Sequence, residues 1–204
     1  MTMRAAKAQR VVLSTIAIFC LIAEVWPQSR SGQDQPLLNS ERISQRFGSY
    51  GIEILDASSD YRISNLFSDE DGLAITRTFA IVSFQDAADQ ALESEHEAIV
   101  AGESIGEALV SRGWAVEKFN RYIGMLPSTP RLDGLMRLSS TAALAVHIYE
   151  LRATRIDENH HYATIAEIHH PDYLKFNDLF EIYGDVEITT GIEPLLALAW
   201  QKMN

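Results

Sequence analysis

The sequence predicts an α+β domain: an antiparallel sheet of about six strands, with helices inserted mid-sequence and at the C-terminus. Three stretches rich in β-branched and aromatic residues, joined by turn sequences, lie between residues 52 and 84. This pattern is typical of an antiparallel meander. A long hairpin pattern covers residues 142–170, and helical periodicity lies between the two groups and near the C-terminus. Strands that come in groups, with helices between them, indicate the α+β class.

The meander is predicted from strand periodicity and turn residues. Its strands are expected at IEILD (52–56), YRISNLF (61–67) and LAITRTFAIVSF (73–84). The sequences DASSD and SDEDG supply the turns between them. Asp86 is then expected to cap a helix that Gly102 ends, and a second short helix, ESIGEALVSRG, stops at Gly113.

The C-terminal half is predicted to return to strands and to finish in two helices. WAVEKFN (114–120) has strand periodicity, whereas the two prolines of MLPSTPRLDG (125–134) indicate a loop. One helix is expected to start at Asp172. A last amphipathic helix carries Pro194 in its first turn.

The clearest element is a hairpin formed by AALAVHIYELRATRI and HYATIAEIHH. A three-residue loop, DEN, would pair Ile156 with His160. That register places Tyr149 opposite Glu167. A loop that is one residue shorter or longer would break these pairings.

The composition is that of a globular protein and argues against nucleic-acid binding. The chain has 204 residues, of which 47% are hydrophobic and 22% are charged, enough for one domain with a core plus a leader. The net charge is −11, so local arginines would have to attract any small anion. The single cysteine, Cys20, lies in the leader and leaves the domain without disulfides or Cys-ligated zinc.

The N-terminal residues 1–31 are predicted to be a signal peptide or an N-terminal membrane anchor. Basic residues precede the apolar run 11–26, as in a secretory signal. No clean cleavage site follows, so an uncleaved anchor stays open. The domain is expected to be exported, periplasmic or secreted, or attached to a membrane through 11–26; an anchor that faces the cytoplasm is the alternative. Residues 32–40 are expected to be a linker, 41–174 the domain, and 175–204 a C-terminal helical extension.

Two histidine pairs near the hairpin are candidate metal ligands. Alternation along the strand places His161, Glu167 and His169 on one face. However, the spacing HH-x7-HH of the pairs at 160–161 and 169–170 matches no metal-binding pattern. Solvent-facing histidines at the hairpin end are the favoured interpretation, and no metal is predicted.

Two strand arginines and one strand glutamate are the candidate ligand contacts. Arg62 follows Tyr61, and Arg77 lies between threonines in TRTFAIV. Each of them is either a solvent-face residue or part of a clamp for a carboxylate, which guanidinium recognises in a bidentate way. Glu167 alternates with Ala163 and Ile165, and a carboxylate on an apolar face needs compensation.

The order of several stretches resembles the chorismate lyase family, the chorismate–pyruvate lyases. These stretches are ERISQRFGSYGIEIL, YRISNLF…LAITRTFAIV, EAIVAGESIGEAL, AVHIYEL and YATIAEIHHPDYL. The resemblance covers about residues 40–174. It implies the chorismate-lyase-like fold, the elimination of pyruvate from chorismate to give 4-hydroxybenzoate, and a site that uses no metal or organic cofactor.

The resemblance also implies roles for single residues. Arg62 would hold the ring carboxylate, and Arg77 would engage the enolpyruvyl side chain or shield the pocket. Glu167 would hydrogen-bond the ring hydroxyl and could move a proton. With Arg77 and Glu167 as the catalytic pair, such a site needs to orient a dianion and assist one proton transfer.

Three further positions are implied to contact the ligand. Ile105 and Gly106, in ESIGEAL, match a Leu-Gly pair of the family and would line the pocket. Ile43, in RISQRF, lies near the position whose backbone meets the ligand carboxylate.

The chain also departs from the family pattern. A basic pair of the family is missing from VHIYELRA, and imidazoles replace apolar side chains in IHHP. An exported lyase would seldom meet chorismate, a cytoplasmic metabolite. Two alternatives therefore stay open: a non-catalytic binding domain for a small aromatic or carboxylic acid on the same fold, and an interaction protein of the cell envelope.

Overall fold

The computed structural model of the protein describes residues 37–85, 90–184, 186 and 193–202. The predicted leader and the Asp86 helix cap lie outside these residues. No helix within them is long and apolar enough to cross a bilayer.

Six strands form one antiparallel sheet in the order β1-β2-β3-β6-β5-β4. The strands are β1 Gly51–Ala57, β2 Tyr61–Glu70, β3 Leu73–Phe84, β4 Ala115–Pro127, β5 Ala143–Arg155 and β6 Glu158–His169. The first three strands pair in sequence as the predicted meander, and β3 pairs with β6 at the centre of the sheet. The predicted α+β class with a six-stranded antiparallel sheet is confirmed.

The helices cover both faces of this sheet. They are α1 Asn39–Phe47, α2 Glu93–Val100, α3 Ile105–Ser111, α4 Pro130–Met136, α5 Phe176–Tyr183 and α6 Glu193–Lys202. One face packs against α4 and α6 through a core that includes Phe79, Leu132 and Ala199. Both C-terminal helices cover the sheet, α6 on this face and α5 on the opposite face. The linker that was predicted to end at residue 40 already contributes the first turn of α1.

The opposite face carries two separate apolar clusters. One of them packs under α2 and α3 and contains Val82 and Ile165. The other packs under α1 and α5 and contains Ile43 and Ala80. Polar residues of the sheet lie between the two clusters, and this gap between helices is where the candidate site forms.

The predicted loop at 125–134 is wrong. β4 continues to Pro127, and α4 begins at Pro130. The side chain of Thr129 accepts a hydrogen bond from the backbone of Leu132, and Pro130 occupies the first turn. Both prolines fit these places, because an edge strand and a first helical turn need no donor at that position.

The predicted hairpin register is also wrong. A two-residue turn, Ile156–Asp157, replaces the expected three-residue loop, and Asp157 adopts the left-handed conformation with φ 62°. Tyr149 consequently pairs with Ile165 instead of Glu167. Beyond a bulge, the observed pairing differs from the predicted pairing by two residues. A shift of two residues keeps each side chain on its face, so Tyr149 and Glu167 still lie on the same face.

The helix expected to start at Asp172 begins later, at Phe176. A turn precedes it, in which the backbone of Tyr173 donates to the carbonyl of His170. The carboxylate of Asp178 then accepts from the backbone of Lys175 at 2.8 Å, as the third helical residue does in a capping box.

Candidate functional site

A cavity lies on the face that carries the two clusters, between the sheet and the starts of α1 and α3. The cavity is open to solvent on one side and has a volume of about 60 Å³. Four of the residues singled out in the sequence line it: Arg62, Ile105, Gly106 and Glu167. At roughly 10–15 Å³ for each water, this volume holds a few waters, so a ring that enters the cavity extends into its mouth.

Arg62 lies in β2 and is only 4% exposed. Its Nη1 donates to the carbonyls of Ile99 at 3.0 Å and Glu103 at 2.8 Å, at the C-terminal end of α2. The partial negative charge of a helix C-terminus stabilises a cation. Its Nε has no hydrogen-bond partner among the described residues, and burial lowers the pKa of the guanidinium.

Glu167 lies in β6 and is also 4% exposed. The hydroxyl of Tyr149 donates to its Oε1 at 3.2 Å, whereas its Oε2 is buried without a hydrogen-bond partner in the described part of the chain. Burial and the neighbouring Glu167 raise the pKa of Tyr149 well above its usual range. The phenol therefore stays a neutral donor to the carboxyl group.

A second cation of the cavity escaped the sequence reasoning. Lys118 of β4 lines the cavity, and its Nζ lies 4.5 Å from the centre of the Tyr149 ring. Alternation in AVEKFN places Lys118 on the same strand face as Val116, which packs against the first cluster. That alternation was the available signal, but a lysine in an edge strand more often faces solvent.

Arg77 does not join this cavity. It occupies the extra position of a bulge in β3 opposite Leu66 and Phe67. Its guanidinium donates to Ser68 at 2.8 Å and to Glu70, and lies over the ring of Phe47 with 3.9 Å between the guanidinium carbon and the ring centre. The expected convergence of Arg62 and Arg77 on one cavity is therefore not observed.

Ile43 and Gly106 have packing roles. Ile43 is fully buried in the cluster under α1 and α5 and does not line the cavity. A Cβ on Gly106 would come within 2.8 Å of the Leu38 side chain, which lines the cavity from the start of α1. Glycine thus permits the close approach of α1 and α3 that closes this side of the cavity.

The expected solvent exposure of the second histidine pair is wrong. His169 is 1% exposed and His170 is 6% exposed. The bulge at Tyr162 also turns His161 to the face opposite Glu167, because two adjacent residues, Tyr162 and Ala163, both enter the same core. Within the described residues, no group of three or more His, Cys, Asp or Glu side chains is arranged to hold a metal ion.

Two buried imidazoles flank the glutamate instead. His147 pairs with Glu167 across β5 and β6, and Nε2 of His169 lies 3.9 Å from Oε2 of Glu167. Burial lowers the pKa of His147 well below its usual value, and lowers the pKa of His169 to about 4. Both rings are therefore neutral at physiological pH.

No family model matches the chain, and a search of curated proteins found no significant match. The chemistry of the cavity indicates what the domain can bind. Its two cationic side chains can bind an anion, and its Tyr149–Glu167 pair can accept or exchange a proton with a bound hydroxyl group.

Proposed function

We propose that this domain binds a small cyclic carboxylic acid in the cavity between Arg62 and Glu167. One observation carries the proposal: a buried guanidinium and a buried carboxyl group line the same cavity, although they come from β2 and β6, which β3 separates. Each of them has a buried polar atom, Nε of Arg62 and Oε2 of Glu167, without a partner among the described residues.

The cost of burying these groups supports a ligand. An unpaired polar atom in the interior costs about 1–3 kcal/mol, and more if it is charged. A carboxylate that accepts from Arg62 would compensate this cost through a charge-assisted hydrogen bond. A ligand hydroxyl would do the same at Glu167.

The charges and the apolar lining of the cavity support an anion with one ring. Arg62 and Lys118 are two cationic side chains against the single carboxyl group of Glu167 in a chain of net charge −11. The apolar lining, which includes Ile105, Val82 and Ile165, fits the body of a ring. The pattern of an apolar pocket with few convergent polar groups is that of a binding site.

Calorimetry with 4-hydroxybenzoate tests the proposal on the purified chain. Arg62→Gln should weaken binding at least about tenfold, because a charge-assisted hydrogen bond is lost. Arg77→Gln is the matched control, since it removes the same charge outside the cavity, and it should bind normally. Absence of binding by the folded wild-type chain would contradict the proposal and favour an interaction domain of the cell envelope.

A second candidate function is a chorismate-lyase-like elimination, as the sequence resemblance implies. The hydrogen bond from Tyr149 to Glu167 favours it, because a carboxyl group with a fixed neighbour and one free oxygen can take up a proton at a defined place. The ether C–O bond would break, the ring would lose a proton and become aromatic, and the released enolpyruvate would gain a proton to give pyruvate.

The position of Arg77 ranks this function second. Arg62 pairs with Val82, which lies about five residues along β3 from Arg77. At about 3.3 Å per residue, the two arginines are roughly 16 Å apart along the strands. Incubation with chorismate should release 4-hydroxybenzoate and pyruvate in equal amounts, and Glu167→Gln should abolish both. Binding without turnover would leave the domain a non-catalytic binder.

A further inference from the structure

A chain of buried side chains leads from α1 to Glu167 through His169. The Tyr173 hydroxyl lies 2.6 Å from Oδ1 of Asn39, and Nδ2 of Asn39 lies 3.1 Å from Oγ1 of Thr78. Oγ1 of Thr78 lies 3.0 Å from Nδ1 of His169. All four of these side chains are at most 5% exposed. The far nitrogen of His169, Nε2, then faces Oε2 of Glu167 at 3.9 Å.

Such a chain can be hydrogen-bonded in either of two directions. In one direction, Tyr173 donates to Asn39, Asn39 to Thr78, and Thr78 to Nδ1 of His169, so that the proton of the neutral ring resides on Nε2. In the other direction every donor and acceptor is exchanged, and the ring proton resides on Nδ1. The second direction also requires the Asn39 amide to be turned over, because its Nδ2 only donates and its Oδ1 only accepts.

The two ends of the chain favour the first direction. At the Glu167 end, an Nε2–H group faces the carboxyl oxygen favourably, whereas a bare Nε2 would place two acceptors against each other. At the Tyr173 end, the hydroxyl lies 2.6 Å from Oδ1 of Asn39 and 3.4 Å from the backbone carbonyl oxygen of Asn39. A carbonyl oxygen only accepts, so the proton of the Tyr173 hydroxyl points to Asn39.

We infer that His169 is held as the neutral Nε2–H tautomer by this chain and acts as a positioning residue for Glu167. His169 lies in the sequence IHH, where this chain departs from the family that it resembles. Its consequence for a ligand rests on the proposed binding function, because Asn39 and Glu167 both line the cavity. Hydrogen bonds thereby connect the start of α1 to His169, whose Nε2 faces the cavity carboxyl group at 3.9 Å.

The surroundings of His169 keep the ring uncharged. Burial lowers its pKa to about 4, with Glu167 on the same strand acting to raise it and with Arg42 of α1 and Lys118 of β4 acting to lower it. His147 carries its own lowered pKa and adds no positive charge at neutral pH. A neutral imidazole ring carries a single N–H proton, so the tautomer determines whether Glu167 faces an N–H group or an unprotonated nitrogen.

The test is the nitrogen spectrum of the histidines in the full ¹⁵N-labelled chain. His169 should show a protonated Nε2 and an unprotonated Nδ1, with no titration above about pH 5, while His160 serves as a reference outside the chain of hydrogen bonds. Thr78→Val, which keeps the shape and removes the donor, should mix the two tautomers. A proton on Nδ1, a charged ring at pH 6, or an unchanged spectrum in Thr78→Val would overturn the inference.

Variants of His169 separate positioning from packing. His169→Gln places an amide near the former Nε2 and should retain 4-hydroxybenzoate affinity within about threefold, whereas His169→Phe should lose about tenfold. Equal losses in both variants would show a packing role only and would overturn the positioning role. If wild type binds no 4-hydroxybenzoate, the binding function fails while the nitrogen spectrum still decides the tautomer.

Discussion

Arg77 is paired with Glu70 of the neighbouring strand and is stacked on Phe47, at a distance from the cavity that Arg62 lines. The Arg77 side chain is 3% exposed, whereas the Glu70 side chain is 52% exposed. Two strand arginines of similar sequence context thus have different surroundings. The difference makes their mutational effects separable.

Arg77→Ala should destabilise the fold and leave ligand binding intact. We expect a loss of about 1–3 kcal/mol in the free energy of unfolding, because a buried hydrogen bond to Ser68 and a cation–π contact are removed. Urea unfolding measures this loss, and Glu70→Gln, which changes an exposed partner, should cost less. Loss of ligand affinity without loss of stability would contradict the assignment.

Lys118→Met should weaken the binding of an anionic ring acid but not of its neutral amide. The variant keeps most of the length of the side chain and removes the charge beside Tyr149. A partly exposed charge of this kind should contribute about three- to tenfold in affinity, and less at high salt. Calorimetry at two salt concentrations tests this, with exposed Lys175→Met as the control for net charge. Equal losses for the acid and the amide would indicate a packing effect.

Stability should fall as the pH is lowered from about 6.5 to about 4. The pKa of His169 is about 4 in the folded protein, against about 6.5 in an unfolded chain. The unfolded chain therefore binds more protons in this window, and each such histidine costs up to about 1.4 kcal/mol per pH unit. His147 acts in the same direction, since burial also lowers its pKa.

Urea unfolding at pH 7, 6 and 5 measures this slope. His169→Gln should reduce the slope because the variant has no ring to protonate. Asn159→Gln, at the hairpin end, changes no titrating group; it is the control and should keep the slope of the wild type. The same slope in all three proteins would show that His169 does not contribute.

Asp157→Gly should stabilise the hairpin turn. Asp157 has φ 62°, which glycine adopts at little steric cost. We expect a gain of up to about 1 kcal/mol and a rise in Tm of about 2–4 °C. Asp157→Val should have the opposite effect, since a β-branched residue is strained there. Thermal unfolding followed by circular dichroism measures both changes; a lower Tm for the glycine variant would argue against this turn.

The strands were predictable because their signals are local. The boundaries of β3 agree with the prediction at both ends, since alternation and turn residues are read over a few positions. The hairpin register and the start of α4 were not predictable in this way. They depend on a left-handed Asp157 and on a Thr129 cap, and other local conformations are equally plausible at both places. Bulges at Tyr162 and Arg77 likewise reassign faces that strict alternation had fixed.

The sequence by itself determined the α+β class, the antiparallel sheet and the apolar setting of Glu167, because these follow from periodicity and composition. Only the tertiary structure decided which polar groups meet. Arg62, Lys118 and Glu167 come from three strands that are far apart in the chain, and the order of the strands, their register and two bulges bring them to one cavity and direct Arg77 elsewhere. A contact between distant strands has no local sequence signal, because it depends on the register of every strand pair that lies between those strands.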